Sequence, residues 1–361
     1  MDCRYHRITV KVGSNVLTRP DGMLDLARMA QLTDQIARLK QSGVEIILVS
    51  SGAVAAGRSE LQPARKLDPV SSRQLWSAIG QVKLINRYSD LFRESGITCA
   101  QVLTTKENFR DRRHYLNMKN CLTTLLENDV VPIINENDTI SVTELMFTDN
   151  DELSGLIASM MNSEALIILS NIDGIYTDHP DVPGAEVIRE ISPKTKDLSR
   201  YIKATKSEFG RGGMITKTGI ARKIALHGIH VHIANGKKED ILINLLDASE
   251  NAVNTHFIPD MHQSSSVKKW LAHSESFTKG QIFVNSGASM ALSSDKATSL
   301  LMIGVTSING DFHEGDIVKI FDEEGNHIGM GKAQYDSKKA ILLIGSHARK
   351  PLVHYDYLYL F

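Results

Sequence analysis

Three runs in this chain are apolar almost from end to end: Val44–Ser50 (VEIILVS), Val130–Asn135 (VVPIIN) and Ala165–Ser170 (ALIILS). A strand with one wet face alternates apolar and polar residues. Runs without that alternation need cover on both faces, which places them in a largely parallel sheet with helices on each side. The segments between them agree. Arg7–Val12 comes first, followed by a stretch in which Leu26, Met29, Leu32, Ile36 and Leu39 recur at spacings of three and four, the mark of one helix face. The series continues through Ile97–Leu103, a helical Tyr115–Glu127, a helical Leu153–Met161, a helical Gly213–His227 and Val231–Asn235. The expected class is α/β, a three-layer αβα sandwich with a largely parallel central sheet. In such folds ligands bind beyond the carboxyl ends of the strands.

Near Asn254 the pattern changes. Met261–Glu275 is polar and Ser-rich, although Val267, Trp270 and Leu271 have the spacing of a short helix. Beyond it come short β-rich runs at Gln281–Val284, Ser299–Val305, Asp316–Phe321, Asn326–Gly331, Ala340–Leu343 and Tyr357–Phe361, as in a small β-barrel-like domain. The expected boundaries are a first domain at 1–256, a linker at 257–276 and a second domain at 277–361. Lys and Arg number 41 against 42 Asp and Glu, which excludes a generally basic nucleic-acid binder. The three cysteines, Cys3, Cys99 and Cys121, are widely spaced and show no metal-binding pattern, which suits a reducing compartment. With no leader-like or membrane-length apolar run, the sequence reads as a cytoplasmic protein away from the membrane.

The chemistry-bearing residues gather at the predicted strand ends. Lys11-Val12-Gly13-Ser14 closes the first strand, and Ser50–Gly57 (SSGAVAAG) follows the second. Small residues let backbone N–H groups approach an anion, and a helix start adds partial positive charge. Ordinary βα turns have the same composition. Gly210–Thr218 (GRGGMITKT) opens a helix with Lys217 in its first turns, but Thr216 stands where a P-loop requires glycine. An isolated Gly-Gly is more often a plain helix start. Asn135-Glu136-Asn137-Asp138 follows VVPII, where four polar residues have no packing role, whereas Thr148–Asp151 (TDND) also reads as a helix cap. No nucleophile motif is present. Direct phosphoryl transfer needs none, only in-line positioning and positive charge.

In their order and spacing, KVGSNVLT (Lys11–Thr18), VSSGAVAAG (Val49–Gly57), VVPIINEND (Val130–Asp138), TDNDELSGLIA (Thr148–Ala158), LSNIDGIYT (Leu169–Thr177) and GRGGMITK (Gly210–Lys217) resemble the amino acid kinase family. The tail, with Asn285–Ala288 and Gly304-Val305 near expected turns, resembles a PUA domain. Members that combine the two phosphorylate the γ-carboxylate of L-glutamate with ATP, the first step of proline biosynthesis. Carried over, the resemblance makes Lys11, Lys217 and Asp151 catalytic and gives Ser51, Gly52, Ala53, Asp138 and Asn150 to the amino acid. It gives Lys11, Gly13, Ser14, Ser170, Asn171, Arg211, Gly212, Gly213, Met214, Ile215, Thr216 and Lys217 to ATP. Many relatives have Thr-Asp at Ser170-Asn171 and Thr at Arg211. Mg²⁺ would ride mainly on the phosphates, with no side-chain ligand assigned. The resemblance further implies inhibition by proline, a homodimer or homotetramer with an interface in the loop before Asn150, and coupling to a glutamyl phosphate reductase. Aspartate, acetylglutamate and nucleoside monophosphates are the alternative acceptors within the family. PUA-like domains often bind RNA, but the basic residues Lys319, Lys332, Lys338, Lys339, Arg349 and Lys350 are interspersed with acids, so no nucleic-acid partner is expected.

Overall fold

The computed structural model describes residues 3–110, 112–141, 149–178, 180, 182–193, 195, 213–260, 278–293 and 298–360. The chain separates into two compact units, Met1–Gln263 and Ser264–Phe361.

Eight strands form the sheet of the first unit: β1 (Arg7–Val12), β2 (Glu45–Ser50), β3 (Cys99–Thr104), β4 (Val131–Glu136), β5 (Ala165–Ser170), β6 (Glu190–Ile191), β7 (His230–Asn235) and β8 (Asn254–Phe257). Their order is β3-β4-β2-β1-β5-β7-β8-β6. Every neighbouring pair is parallel except β7 with β8. Period-two alternation divides the buried side chains between two layers. Ile8, Val10 and Val12 of β1, with Ile167 and Leu169 of β5, pack with Met29, Leu32, Ile36 and Leu39 of α2 (Leu26–Gln41). Leu166 and Ile168 of β5 face the other way, toward Ala221, Ile224 and Ala225 of α8 (Met214–Ala225) and Ala158 of α7 (Asn150–Met161). Both faces of β5 are thus covered, as the unbroken apolar run requires.

Between these helices the chain also forms α1 (Ser14–Leu17), α3 (Ala53–Glu60), α4 (Pro69–Glu94), α5 (Glu107–Arg110) and α6 (Arg112–Glu127), and after β7 comes α9 (Ile241–Leu246). The 26-residue α4 is absent from the elements expected from the sequence. Its start is well specified: Asp68 accepts from the N–H groups of Val70 and Ser71 at 3.0 Å each, and Pro69 takes the first helical position. Gly57 and Gly80 bring α3 and α4 together so closely that a Cβ on Gly80 would lie 1.7 Å from the Ala53 carbonyl oxygen.

In the second unit, β9 (Gly280–Val284), β10 (Val305–Asn309), β11 (Ile317–Phe321), β12 (His327–Ala333) and β13 (Val353–Leu360) are ordered β10-β9-β11-β12-β13. Among the described strands of this unit, only β9 and β11 pair in parallel. Two expected strands differ. Within Ser299–Val305, Leu300 makes an isolated bridge to Val353 and Met302–Gly304 is a 3-10 turn, so the strand starts at Val305. Ala340–Leu343 lies mostly in α11 (Ser337–Leu342), which follows α10 (Ser286–Leu292). Only Ser337 and Ala340 of that helix are buried, while Leu342 is 86% exposed, so the apolar run does not mark a strand interior. Of the expected linker at 257–276, Phe257 ends β8 and residues 261–276 lie outside the described residues, as does most of the loop before Asn150. Among those described, no helix is long and apolar enough to cross a membrane.

Candidate active site

Alternation along β1 creates the first half of the site. Arg7, Thr9 and Lys11 share the face that meets α7: Arg7 Nη1 donates to the Met161 carbonyl at 2.9 Å, and the Thr9 and Ser163 hydroxyls lie 2.8 Å apart. At the carboxyl end of the strand Lys11 Nζ lies 2.6 Å from Asp151 Oδ1. The second half comes from helix packing. Gly155, one turn after Asp151, lets α8 approach so closely that a Cβ there would lie 2.9 Å from Ile224 Cδ1. Lys217 stands seven residues before Ile224 on the same helix face. Its Nζ donates to Asp151 Oδ2 at 2.7 Å.

One carboxylate therefore holds two ammonium groups, each on its own oxygen. Asp151 is fully buried, and burial opposes its ionisation, but Lys11 and Lys217 outweigh that and lower its pKa to about 2. Asp149 caps α7, accepting from the N–H groups of Asp151 and Glu152 at 2.9 and 3.1 Å. Burial, followed by the neighbouring Asp151 charge, raises its pKa to about 6.

Beside this centre, Asn150 Nδ2 donates to the Ser50 carbonyl at 3.2 Å, to Ser51 Oγ at 2.9 Å and to Asn135 Oδ1 at 3.0 Å. Three of the expected segments, at the ends of β2 and β4 and at the start of α7, meet on this amide. Gly52 precedes α3 with φ of 105°, a left-handed conformation that disfavours other residues, and Ala53 begins the helix buried. Gly13 precedes α1. A Cβ there would lie 3.3 Å from Lys11 Nζ, so glycine keeps the space next to the ammonium open, and Ser14 starts the helix.

Asp138 is 6% exposed, and burial raises its pKa despite a cation at its side. That cation is Arg73 in the first turns of α4, which sequence reasoning did not single out. Arg73 Nε donates to Asp138 Oδ1 at 2.8 Å, and Nη2 bonds the same oxygen and approaches Glu136 Oε2 at 3.4 Å. Ser77, one turn along α4, places its hydroxyl 3.4 Å from Asp138 Oδ2.

At the next strand ends, Ser170 is buried at the tip of β5 and Asn171 is exposed beyond it, with Ser170 Oγ 3.4 Å from Asn171 Oδ1. Asp173 accepts from Asn235 Nδ2 at 2.9 Å and from Lys238 Nζ at 2.8 Å, a bridge across β5 and β7 that the motifs did not indicate. Gly213 precedes α8, followed by Met214, the exposed Ile215, Thr216 and Lys217. Arg211 and Gly212 lie outside the described residues. The arrangement offers two fixed ammonium groups, open helix starts and a separate acid-arginine pair: places for phosphoryl charge and for a charged small molecule.

Comparison with known proteins places the fold in a family. Residues 6–235 match the model of the amino acid kinase family, and residues 280–355 match that of the PUA domain. The chain is 64% identical to the glutamate 5-kinase of Bacteroides thetaiotaomicron, with 100% of both chains covered. It is 51% identical to that of Chlorobaculum tepidum, over 99% of this chain and 98% of the relative. Among solved structures, carbamate kinase from Giardia lamblia bound to AMP-PNP shares the fold, with a TM-score of 0.53 at 16% identity, covering 71% of this chain and 99% of that one. The chain, a kinase with a PUA domain following its α/β unit, belongs to the amino acid kinase family.

Proposed function

We propose that this kinase transfers the γ-phosphoryl group of ATP to the γ-carboxylate of L-glutamate, giving γ-glutamyl phosphate and ADP. The observation that carries the reading is the Lys11–Asp151–Lys217 bridge, with ammonium groups 2.6 and 2.7 Å from one buried carboxylate. Negative charge spreads over the transferring phosphoryl oxygens, and fixed cations aimed at it lower the barrier without reorganising. A carboxylate oxygen of the acceptor attacks the γ-phosphorus while the bond to the β,γ-bridging oxygen breaks, and no proton need move. Lys11 and Lys217 stabilise that charge, and Asp151 keeps them apart and in place. Asp138 accepts from the substrate ammonium, and Ser51 and Asn150 supply donors to its carboxylates, with Gly52 and Ala53 forming the floor of that subsite.

The nucleotide falls to Gly13, Ser14, Ser170, Asn171 and the segment 211–217. The donor set suits a phosphate chain. Both Asp151 oxygens are engaged by ammonium groups, so Mg²⁺ would be carried on the phosphates and water, adding charge neutralisation there. The reading extends to proline biosynthesis in the cytoplasm, where proline competes for the subsite at Asp138, a homodimer or homotetramer forms, and a glutamyl phosphate reductase consumes the labile product. In the PUA unit, Lys350 is paired with Glu314 at 2.7 Å and Lys279 lies 3.9 Å from Asp316, which supports a role other than nucleic-acid reading.

The test is an ADP-release assay with L-glutamate, L-aspartate, N-acetyl-L-glutamate and UMP as acceptors. Glutamate is expected to give by far the highest kcat/KM. Equal or better turnover of any other acceptor overturns the reading. Millimolar proline should raise the apparent KM for glutamate, and an unchanged KM removes the inhibition from it.

A further inference from the structure

We infer that Lys238, held in place by Asp173, binds the α-phosphate of the nucleotide donor, at the far end of an open trough that starts at Lys11 and Lys217. This contact rests on the ATP reading above and extends it to the next strand end.

The trough follows from how three strands finish. β1, β5 and β7 are parallel neighbours in that order, with Gly13 following β1 and Gly236 following β7. Gly13 N–H donates to the Leu169 carbonyl at 3.1 Å, and Gly236 N–H donates to the Ser170 carbonyl at 2.8 Å. A Cβ at Gly13 would lie 3.0 Å from the Leu169 carbonyl oxygen, and one at Gly236 would lie 2.7 Å from Val16 Cγ1. Both chain ends are thus drawn against the tip of β5 without side chains of their own, a low floor on which a phosphate chain can lie close to backbone.

Cations stand at both ends of this floor. Lys11 and Lys217 share Asp151 at the β1 end. β7 lies two strand spacings away, about 10 Å. Beyond it Lys238 Nζ donates to Asp173 Oδ2 at 2.8 Å, while Asn235 Nδ2 donates to Oδ1 at 2.9 Å. As with Asp151, each carboxylate oxygen has its own donor. Burial opposes the ionisation of Asp173, but the hydrogen bonds from Lys238 and Asn235 outweigh it and lower its pKa, so the carboxylate stays charged and the ammonium stays tethered. Lys238 keeps 41% of its side chain exposed, and Asp173 occupies one of the three N–H donors of its ammonium. The lysine is fixed and still open to a ligand.

The order of the strands selects what Lys238 can meet. The acceptor lies on the β2 side of Lys11, at Ser51 and Asn150, and in-line transfer sends the leaving group the opposite way. With the γ-phosphoryl group at Lys11 and Lys217, the β-phosphate passes over the tip of β5 and the α-phosphate reaches toward β7. The charge of the α-phosphate does not change during transfer. A lysine there binds substrate and transition state alike, which lowers KM and leaves kcat as it is.

The test is steady-state kinetics of the full-length kinase carrying K238M, K238R or D173N, with thermal unfolding as a check on folding. K238M is expected to raise KM for ATP by roughly 10-fold or more, the scale of a lost charge-assisted hydrogen bond, with kcat at saturating ATP and KM for glutamate within about twofold of wild type. The inhibition constant of AMP, whose one phosphate is the α-phosphate, should rise by the same factor. K238R should keep KM for ATP within about threefold of wild type, and D173N, which leaves the lysine untethered, should fall between K238R and K238M. Equal rises in KM for ATP and for glutamate would make Lys238 merely structural, an unchanged KM for ATP would remove it from the nucleotide, and an unchanged AMP constant would take it off the α-phosphate. Each of these overturns the inference while leaving ATP as the donor. A wild type that ignores ATP and phosphorylates glutamate from a donor without a nucleoside overturns the underlying reading as well, so the two fail separately.

Discussion

Asp151 and Asp138 are both buried carboxylates beyond the strand ends of one sheet, and the protein treats them in opposite ways. Asp151 has an ammonium on each oxygen, and its pKa is lowered to about 2 although burial acts against this. Asp138 has one oxygen committed to Arg73 and one nearly open, and burial raises its pKa. The first is closed and serves as a fixed strut that organises positive charge. The second is open, and a buried carboxylate that lacks full compensation is poised to take a cation from outside. In the proposed function, the contrast separates a group that serves the transferring phosphoryl from one that serves substrate recognition.

The sharpest way to break the comparison is to neutralise each acid in turn. D151N leaves two ammonium groups beside a neutral amide, so kcat should fall by about 10³-fold or more, with a loss of about 3–5 kcal/mol of stability. Stopped assays and urea unfolding read both quantities. D138N should raise KM for glutamate by about 10- to 100-fold, the scale of a lost charged hydrogen bond, with kcat within a few-fold of wild type. If each substitution moved kcat and KM together, the division of labour would be wrong.

pH sharpens the same contrast through opposite signs. The Asp151 pKa is lowered from 3.8 to about 2, so its stabilisation is fully present above the unfolded value and disappears as pH falls toward about 2. The Asp138 pKa is raised, so its ionisation costs stability at neutral pH, and that cost is relieved as pH falls through the folded value. D138N should therefore be no less stable than wild type at pH 7, and D151N should approach wild type only at strongly acid pH, both measured as Tm against pH. A D138N variant less stable than wild type at pH 7 contradicts the assigned burial cost.

A smaller effect comes from a cluster in which burial disfavours the charged form of histidine. Tyr5, His230, His232 and His256 pack together, with the His232 and His256 rings 4.4 Å apart. Burial, then mutual repulsion, lowers the His256 pKa to about 4. A depressed histidine stabilises the neutral folded form above its unfolded value, and that stabilisation is lost as pH falls from about 6.5 toward the folded value. Tm should decline across that window, and H256N should flatten part of the decline.

Legibility in the sequence followed the strength of the local signal. The strand Ala165–Ser170 was readable to the residue because both of its faces are buried and nothing interrupts the run. Lys11, Asp151 and Lys217 stood out as polar residues at strand and helix ends, but their junction did not. It depends on Gly155 letting α8 approach α7, a tertiary fact that a lone glycine in a helix does not announce. Arg73 was invisible for a similar reason. It lies in a mixed stretch with no glycine loop, and its meaning comes from meeting Asp138 across 65 residues. One signal could have found it: Asp68-Pro69 marks a helix start, which places Arg73 in the opening turns of α4. Ala340–Leu343 misled in the other direction, because an apolar run on an exposed helix face looks like a short strand.

The central claim is that two lysines held by one aspartate carry the charge of the transferring phosphoryl group. Its most direct test is steady-state kinetics of K217A with L-glutamate and ATP. The expected result is a fall in kcat of about 10²- to 10³-fold, with KM for glutamate within about threefold of wild type. A variant with near wild-type kcat would contradict it.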